Sequence, residues 1–197
     1  AVRSALNQTL SRDLYEVIVV KNFRDDFIDS KLGEWGVTNL YSESVGIGAK
    51  IYEALQVARG EVISFLDDDD EFLPGKLKAV YEAFQRGADY YHNEMLVINE
   101  AGHVLRNTAR SSYLIRHDQF GRYLRFMAKT GPSNNSSIAL KAGLLKDKAD
   151  FLRRIGMAAD HFSFTLGLVS GHTMFLDGTP LTLYRFHSVQ SQHDFKS

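Results

Sequence analysis

The chain has 197 residues, of which 44% are hydrophobic and 24% charged, and its formal net charge is −1. This balance excludes a disordered or collagen-like chain and gives no electrostatic argument for nucleic-acid binding, so we expect no nucleic-acid partner. The absence of cysteine excludes disulfides and thiolate metal sites, and no apolar run approaches the roughly 20 residues that span a bilayer.

The first 86 residues alternate between patterns typical of helices and patterns typical of strands. Apolar residues recur every three or four positions in the helical stretches, whereas the strands are short β-branched or apolar runs without polar alternation. The predicted order is helix, strand, short strand, helix, strand and helix, at residues 1–10, 15–20, 37–41, 46–58, 62–66 and 77–84. This order predicts an α/β fold with a mostly parallel central sheet flanked by helices.

The remaining residues predict a smaller mixed β region within the same fold. The elements are a hairpin, a helix, a polar loop, a short strand, two helices and two further strands, at residues 88–105, 112–129, 131–137, 138–140, 141–153, 159–169, 174–176 and 181–186. No linker, repeat or low-complexity tract divides the chain. We therefore predict a single domain over residues 1–197.

Four consecutive carboxylates, Asp67 to Asp70, directly follow the predicted strand at 62–66. One interpretation is a solvated turn whose acids cap the next helix, and the other is a site for a hard cation such as Mg²⁺ or Mn²⁺. An EF-hand loop is excluded because Phe72 occupies the sixth position, which requires glycine. An aspartyl-phosphate nucleophile has no supporting residue pattern.

Several stretches around these acids resemble the nucleotide-sugar half of a family 2 glycosyltransferase with the GT-A fold. They are Ser4–Thr9, Glu16–Val20, Gly46, Ala58–Asp70 and Leu73–Leu77, and together they cover about the first 80 residues. The resemblance implies a metal-dependent, inverting transfer of a sugar from a nucleotide diphosphate donor to a hydroxyl acceptor, either a saccharide or a lipid-linked molecule. It assigns residues 1–86 to the donor and residues 87–197 to the acceptor.

The same resemblance implies roles for the acidic residues. Asp67 and Asp69 match the family's Asp-x-Asp motif, with Asp69 on Mg²⁺ or Mn²⁺ and Asp67 on the metal or the donor ribose, while Asp68 positions the donor. Asp160 matches the general base that removes the acceptor proton, although the family's preceding Glu is Ala159 here. A helix cap is the alternative role for Asp160.

Four basic or amide side chains complete the predicted site. His187, in an Arg-x-His stretch, is implied to approach the metal or the diphosphate, and an ordinary hydrogen-bonded histidine is the alternative. Lys21 and Asn22 stand where the family has two Asp residues near the nucleobase, and Lys50 lies near the predicted donor mouth. A solvated lysine is the alternative for Lys50.

Two alternatives to a glycosyltransferase remain at this stage. A catalytically silent nucleotide-sugar-binding or scaffolding module is favoured by Lys21, Asn22 and Ala159, which all depart from the family pattern. A nucleotidyltransferase requires a phosphate-binding loop near the N-terminus, and no Gly/Lys/Arg-rich loop occurs there.

The family's first strand precedes its opening helix, and this chain begins at that helix. Without that strand, two neighbouring strands would face a gap with unpaired backbone groups. We therefore expect that residues preceding Ala1, or another segment, fill this place in the sheet.

The basic, aromatic-rich segment 112–129 bears on localisation. It is interpreted as a helix that packs on the sheet with its cations outward, and a helix lying on a membrane surface is the alternative. We expect a cytoplasmic protein with at most peripheral membrane contact.

Overall fold

The computed structural model describes residues 1–130, 134–170 and 173–187. The helices in this part of the chain are α1 (Val2–Leu6), α2 (Asp26–Glu34), α3 (Ile47–Val57), α4 (Lys76–Gln85), α5 (Phe120–Thr130), α6 (Ala142–Lys146), α7 (Ala149–Leu152) and α8 (Ala159–Ser170). The strands are β1 (Ile18–Lys21), β2 (Thr38–Tyr41), β3 (Val62–Ser64), β4 (Glu71–Phe72), β5 (Tyr90–Ile98), β6 (Val104–Asn107), β7 (Tyr113–Arg116), β8 (Ile138–Lys141) and β9 (Thr173–Arg185).

The larger sheet has the strand order β3, β8, β5, β9, β4, with β6 paired to β5 and β7 paired to β9. β5 and β9 are parallel along the whole of β5, whereas β8 lies between β3 and β5 and is antiparallel to both. The α/β class is thus confirmed, but the strand directions are more mixed than the predicted, mostly parallel sheet. The reason is that β4, β6, β7 and β8 all pair antiparallel with their neighbours.

Strands β1 and β2 form a separate parallel sheet, with Ile18 opposite Thr38. A cleft of about 1380 Å³ lies between β1 and β3, lined by the β-branched residues of both strands and by α3. This cleft is the place where the sequence predicts a further strand, and that strand stays a prediction.

Both faces of the larger sheet are covered by helices, which explains the apolar character of its central strands. On one face, Val80 of α4 belongs to a core cluster with Tyr91 and Ala139. On the other face, α8 lies so close that a Cβ added at Gly167 would come within 2.7 Å of the Tyr90 ring. Tyr90 and Phe164 also make an edge-to-face ring contact at 6.0 Å.

Several elements differ from the sequence prediction. Helix α2 was not predicted, because Leu32 is its only buried residue and an apolar stripe is missing. The predicted helix 112–129 is wrong in its first part, where β7 pairs with β9. The two strands predicted at 174–176 and 181–186 are one continuous strand, β9, and the two-residue strand β4 was not predicted.

Helix α5 packs on the fold as the sequence interpretation suggested. Phe120 and Met127 are buried, whereas Arg122, Arg125 and Lys129 are exposed. No helix in the described part of the chain is both long and apolar enough to cross a membrane.

Candidate active site

The acid run, Asp67–Asp70, connects the end of β3 to β4. β4 pairs with the C-terminal half of β9, with Phe72 opposite Thr182, so this pairing fixes the far end of the run. The chain turns sharply between the two strands, and the Asp70 N–H donates to the Asp67 carbonyl at 3.3 Å. The sheet therefore presents the acids at the end of β3, as predicted.

Arg185, at the end of β9, holds this run through its main chain and its side chain. Its N–H donates to Asp70 Oδ1 at 2.9 Å, and its Nε donates to the Asp69 carbonyl at 3.0 Å. The guanidinium also pairs with Glu71 Oε1 at 3.0 Å. In the sequence, Arg185 is distinguished only as the arginine of the Arg-x-His stretch, because these contacts join residues more than 110 positions apart.

His187 lies directly against the acid run. Its Nε2 is 2.8 Å from Asp69 Oδ2, and both side chains are partly exposed. The structure therefore brings together Asp69 and His187, two of the three residues that the sequence predicts at the metal. The continuation of this stretch, 188–191, lies outside the described residues.

A short turn, residues 134–137, lies on the other side of Asp67. Ser136 Oγ accepts a hydrogen bond from the Asp67 N–H at 2.9 Å, and Asn135 Nδ2 donates to Asp67 Oδ1 at 3.2 Å. Asn134 opens the turn with a φ of 69°, and its Oδ1 accepts from the Ser136 N–H at 3.0 Å. The sequence indicates only a polar loop at 131–137, of which 131–133 lie outside the described residues.

Burial and mutual repulsion shift the ionisation of the acid run. Burial raises the pKa of Asp67 to about 6, opposed by the Asn135 hydrogen bond and increased by the charges of Asp69 and Asp160. Burial likewise raises the pKa of Asp70 to about 6, opposed by Ser136 and the Arg185 N–H. Asp70 is only 1% exposed, and its Oδ2 is buried without a hydrogen-bond partner among the described residues.

Asp160 lies in the first turn of α8, 8% exposed. Its charge contributes to the raised pKa of Asp67, so the two carboxylates share one region although 93 residues separate them. The Asp160 Oδ1 atom accepts from the His161 N–H at 2.8 Å. This local contact at the start of the helix also fits the alternative role of Asp160 as a helix cap. The residue two positions earlier, Ala158, has a φ of 62°, a left-handed conformation that is strained for alanine.

The remaining predicted residues differ in burial and in their partners. Lys50 lines the cleft between β1 and β3 together with Asp67, and Asp68 is exposed. Lys21 does not project freely, because it is buried and pairs with Asp29 at 2.7 Å. Asn22 is exposed beside it. Donor contacts by Lys21, Asn22, Lys50 and Asp68 stay predictions.

Comparisons with known proteins identify the family of this chain. The family model described as Glycosyl transferase family 2 matches residues 1–144. The chain belongs to glycosyl transferase family 2. The family predicted from the sequence is therefore confirmed. A comparison with curated proteins gave no match.

Solved structures of S. aureus TarS resemble this family 2 chain. The structure of TarS 1–349 in complex with UDP has 18% sequence identity and a TM-score of 0.71, and the match covers 94% of this chain and 55% of that chain. The complex with UDP-GlcNAc has 17% identity and a TM-score of 0.72, covering 100% and 56%. At this identity the likeness shows the fold, which is GT-A-like. The family 2 chain spans about half the length of these TarS chains.

The residues of this family 2 site fit a divalent cation in part. Neighbouring ligands of an octahedral cation, each at about 2.1 Å, lie about 3 Å apart, and Asp69 Oδ2 and His187 Nε2 are 2.8 Å apart. No three His, Asp or Glu side chains in the described ranges form a complete metal-binding group. Mg²⁺ is usually held by one or two carboxylates together with substrate phosphates and water. The Asp69–His187 pair fits this kind of shared site.

Proposed function

We propose that this chain is the catalytic part of a metal-dependent, inverting glycosyltransferase that moves a sugar from a nucleotide diphosphate donor to a hydroxyl acceptor. One observation carries the proposal: Asp69, beyond the end of β3, lies 2.8 Å from His187, which comes from a distant part of the chain. The charge of Asp160 in α8 also contributes to the raised pKa of Asp67. Clusters of carboxylates with raised pKa values are typical of catalytic sites. Membership of glycosyl transferase family 2 supports the reaction class.

Four acidic side chains have roles in this proposal. Mg²⁺ or Mn²⁺ on Asp69 and His187, with Asp67 near it, would neutralise charge on the leaving diphosphate. Asp67 and Asp68 orient the donor. Asp160 accepts the proton of the acceptor hydroxyl while its oxygen attacks the anomeric carbon and the bond from that carbon to the diphosphate oxygen breaks.

The comparisons suggest which nucleotide to test first. Uridine nucleotides are the first donors to test, because the similar TarS structures contain UDP and UDP-GlcNAc. Lys50 faces the cleft and is available for a phosphate contact. The charge of Lys21 is already balanced by Asp29, so in our proposal Asn22, whose side-chain amide both donates and accepts, reads the base edge.

Thermal unfolding and turnover together test this proposal. UDP-, GDP- and dTDP-sugars are added with and without Mn²⁺ to wild type, Asp69→Asn and Asp160→Asn. Asp150→Asn, at an exposed position of α7, is the matched control. Asp69→Asn should abolish the metal-dependent stabilisation, whereas Asp160→Asn should keep it and lose turnover. Asp150→Asn should behave as wild type.

The results also separate the proposal from a silent binding module. Donor-dependent stabilisation without any turnover in wild type, over a range of saccharide and lipid-linked acceptors, would favour the silent module. Absence of stabilisation by every donor would contradict both functions.

A further inference from the structure

A polar cluster lies behind the acid run, enclosed between α4 and strands β5 and β9. Its members are Lys76, Asn93 and Thr182, each 0% exposed. Lys76 begins α4, Asn93 lies in the middle of β5, and Thr182 lies in β9 opposite Phe72. Burying an ammonium group is unfavourable unless it is well hydrogen-bonded. None of these side chains has a role in the proposed reaction.

The cluster is hydrogen-bonded to the 134–137 turn. Lys76 Nζ donates to Asn93 Oδ1 and, at 3.0 Å, to the Ser137 carbonyl. Asn93 Nδ2 donates to Thr182 Oγ1 at 3.0 Å, and the Thr182 hydroxyl donates to the Ser136 carbonyl at 3.2 Å. The carbonyls of Ser136 and Ser137 therefore both accept hydrogen bonds from buried side chains.

The opposite side of the same turn holds Asp67. Ser136 Oγ accepts from the Asp67 N–H and Asn135 Nδ2 donates to its carboxylate, as described above. The turn begins at Asn134 in a left-handed conformation, which persists only when surrounding contacts hold it. A shift of the turn would therefore move Asp67.

We propose that Lys76 is a positioning residue that holds the 134–137 turn in place and thereby fixes the Asp67 carboxylate for the donor. The donor part of this inference rests on the proposed function, whereas the link from Lys76 to Asp67 does not. Because a lysine donates through its N–H groups in the charged and the neutral form, the hold on Ser137 and Asn93 persists across its titration.

A purely structural role for Lys76 is the competing explanation. Val80→Ala provides the matched control, because Val80 lies one turn along the same helix, is buried and belongs to a hydrophobic cluster instead. The test compares Lys76→Met with Val80→Ala in the full chain. The first measurement is amide hydrogen exchange at Asp67, corrected for global stability, which requires no nucleotide.

We expect exchange at the Asp67 amide to rise at least about 10-fold in Lys76→Met and to stay at the wild-type value in Val80→Ala. Replacing a residue that orients a metal ligand typically changes metal affinity or activity by about 10–100-fold. Mn²⁺–UDP affinity, measured by titration calorimetry, should therefore fall about 10–100-fold in Lys76→Met and stay at the wild-type value in Val80→Ala. The double variant Lys76→Met/Asn93→Leu removes two polar partners together. It should recover stability without recovering affinity, whereas a structural role predicts recovery of both.

The outcomes separate this inference from the proposed function. Unchanged Asp67 exchange in Lys76→Met, or an equal change in Val80→Ala, would overturn the inference. Faster exchange with unchanged Mn²⁺–UDP affinity would also overturn it. Faster exchange in a protein whose wild type binds no nucleotide would support the link to Asp67 and contradict the proposed function.

Discussion

The acid run and the small sheet of β1 and β2 are held by different kinds of contact. Around the acid run, buried side chains such as Lys76, Asn93 and Thr182 join strands, a helix and a turn that are far apart in the sequence. The β1 and β2 strands are joined to each other over four residue pairs, and β1 faces the cleft with residues that are only partly buried. The comparison indicates that the diphosphate end of the proposed donor site is preorganised, whereas the nucleobase end is more easily deformed.

The largest effect is expected from Arg185→Met, which removes the side-chain contacts that hold the acid run. Misplacement of catalytic groups by about 1 Å reduces rates by about 100-fold, so turnover should fall at least that much. Unfolding free energy should fall by about 1.5–3 kcal/mol, because hydrogen bonds to charged groups contribute this amount. Arg153→Met, an exposed arginine beside Tyr52, is the control and should change neither quantity appreciably. Turnover close to wild type in Arg185→Met would show that the acid run does not need this support.

Hydrogen exchange tests the comparison across the whole fold. Amides of β1 and β2 should open with a free energy several kcal/mol below that of β5 and β9, since local opening energies range from about zero to the global value. Mass spectrometry of peptides covering Ile18–Lys21 and Tyr90–Ile98 measures this difference. Equal protection of the two regions would contradict this expectation.

The fold could be predicted from sequence wherever burial is periodic. Helices α3 and α4 and strand β3 have clear apolar patterns and were predicted. Helix α2 has no such pattern, and the Asp25 side chain, which accepts from the Ile28 N–H at 2.9 Å, was its available signal. β7 falls within the predicted helix 112–129 because only the short 3-10 turn His117–Gln119 separates it from α5. Its pairing with β9 alone shows that its four residues are extended.

The candidate site could be predicted only in part, for a different reason. Asp67, Asp69, Asp160 and His187 were found because a family resemblance implied them, and the structure brings Asp69 and His187 together. The supporting contacts could not be found in this way. They join residues 17 to 116 positions apart and depend on the register of β4, β9 and the 134–137 turn. Asn134 was also not recognised, since a left-handed backbone at Asn is not specified by the neighbouring sequence.

The pH dependence of stability tests the burial of Lys76, in the polar cluster behind the acid run. Burial lowers the pKa of Lys76 to about 7 from 10.5, so between these values the unfolded chain binds more protons than the folded chain. This term makes unfolding free energy rise with pH by up to about 1.4 kcal/mol per unit in that window. Urea unfolding of wild type and Lys76→Met between pH 6 and pH 10 measures the difference between the two, which cancels contributions from other groups. A constant difference over this range would show that Lys76 has an ordinary pKa.

The smallest effect is expected on the cleft side, at the ion pair between Arg59 and Glu16. Glu16 precedes β1 and Arg59 precedes β3, so the pair joins the two sides of the cleft at 3.2 Å. The Arg59 side chain is 85% exposed, and exposed pairs contribute about 0–1 kcal/mol.

Glu16 Oε1 also accepts from the N–H groups of Arg59 and Gly60, and these bonds do not need the arginine side chain. Arg59→Ala should therefore lower the unfolding free energy by less than about 1 kcal/mol, with a smaller difference in high salt. Glu16→Ala removes the backbone bonds as well and should have the larger effect. If Arg59→Ala lowers the unfolding free energy as much as Glu16→Ala or more, the charged side chains, rather than the backbone bonds, join the two sides of the cleft. The small sheet would then be held more firmly than the comparison with the acid run indicates.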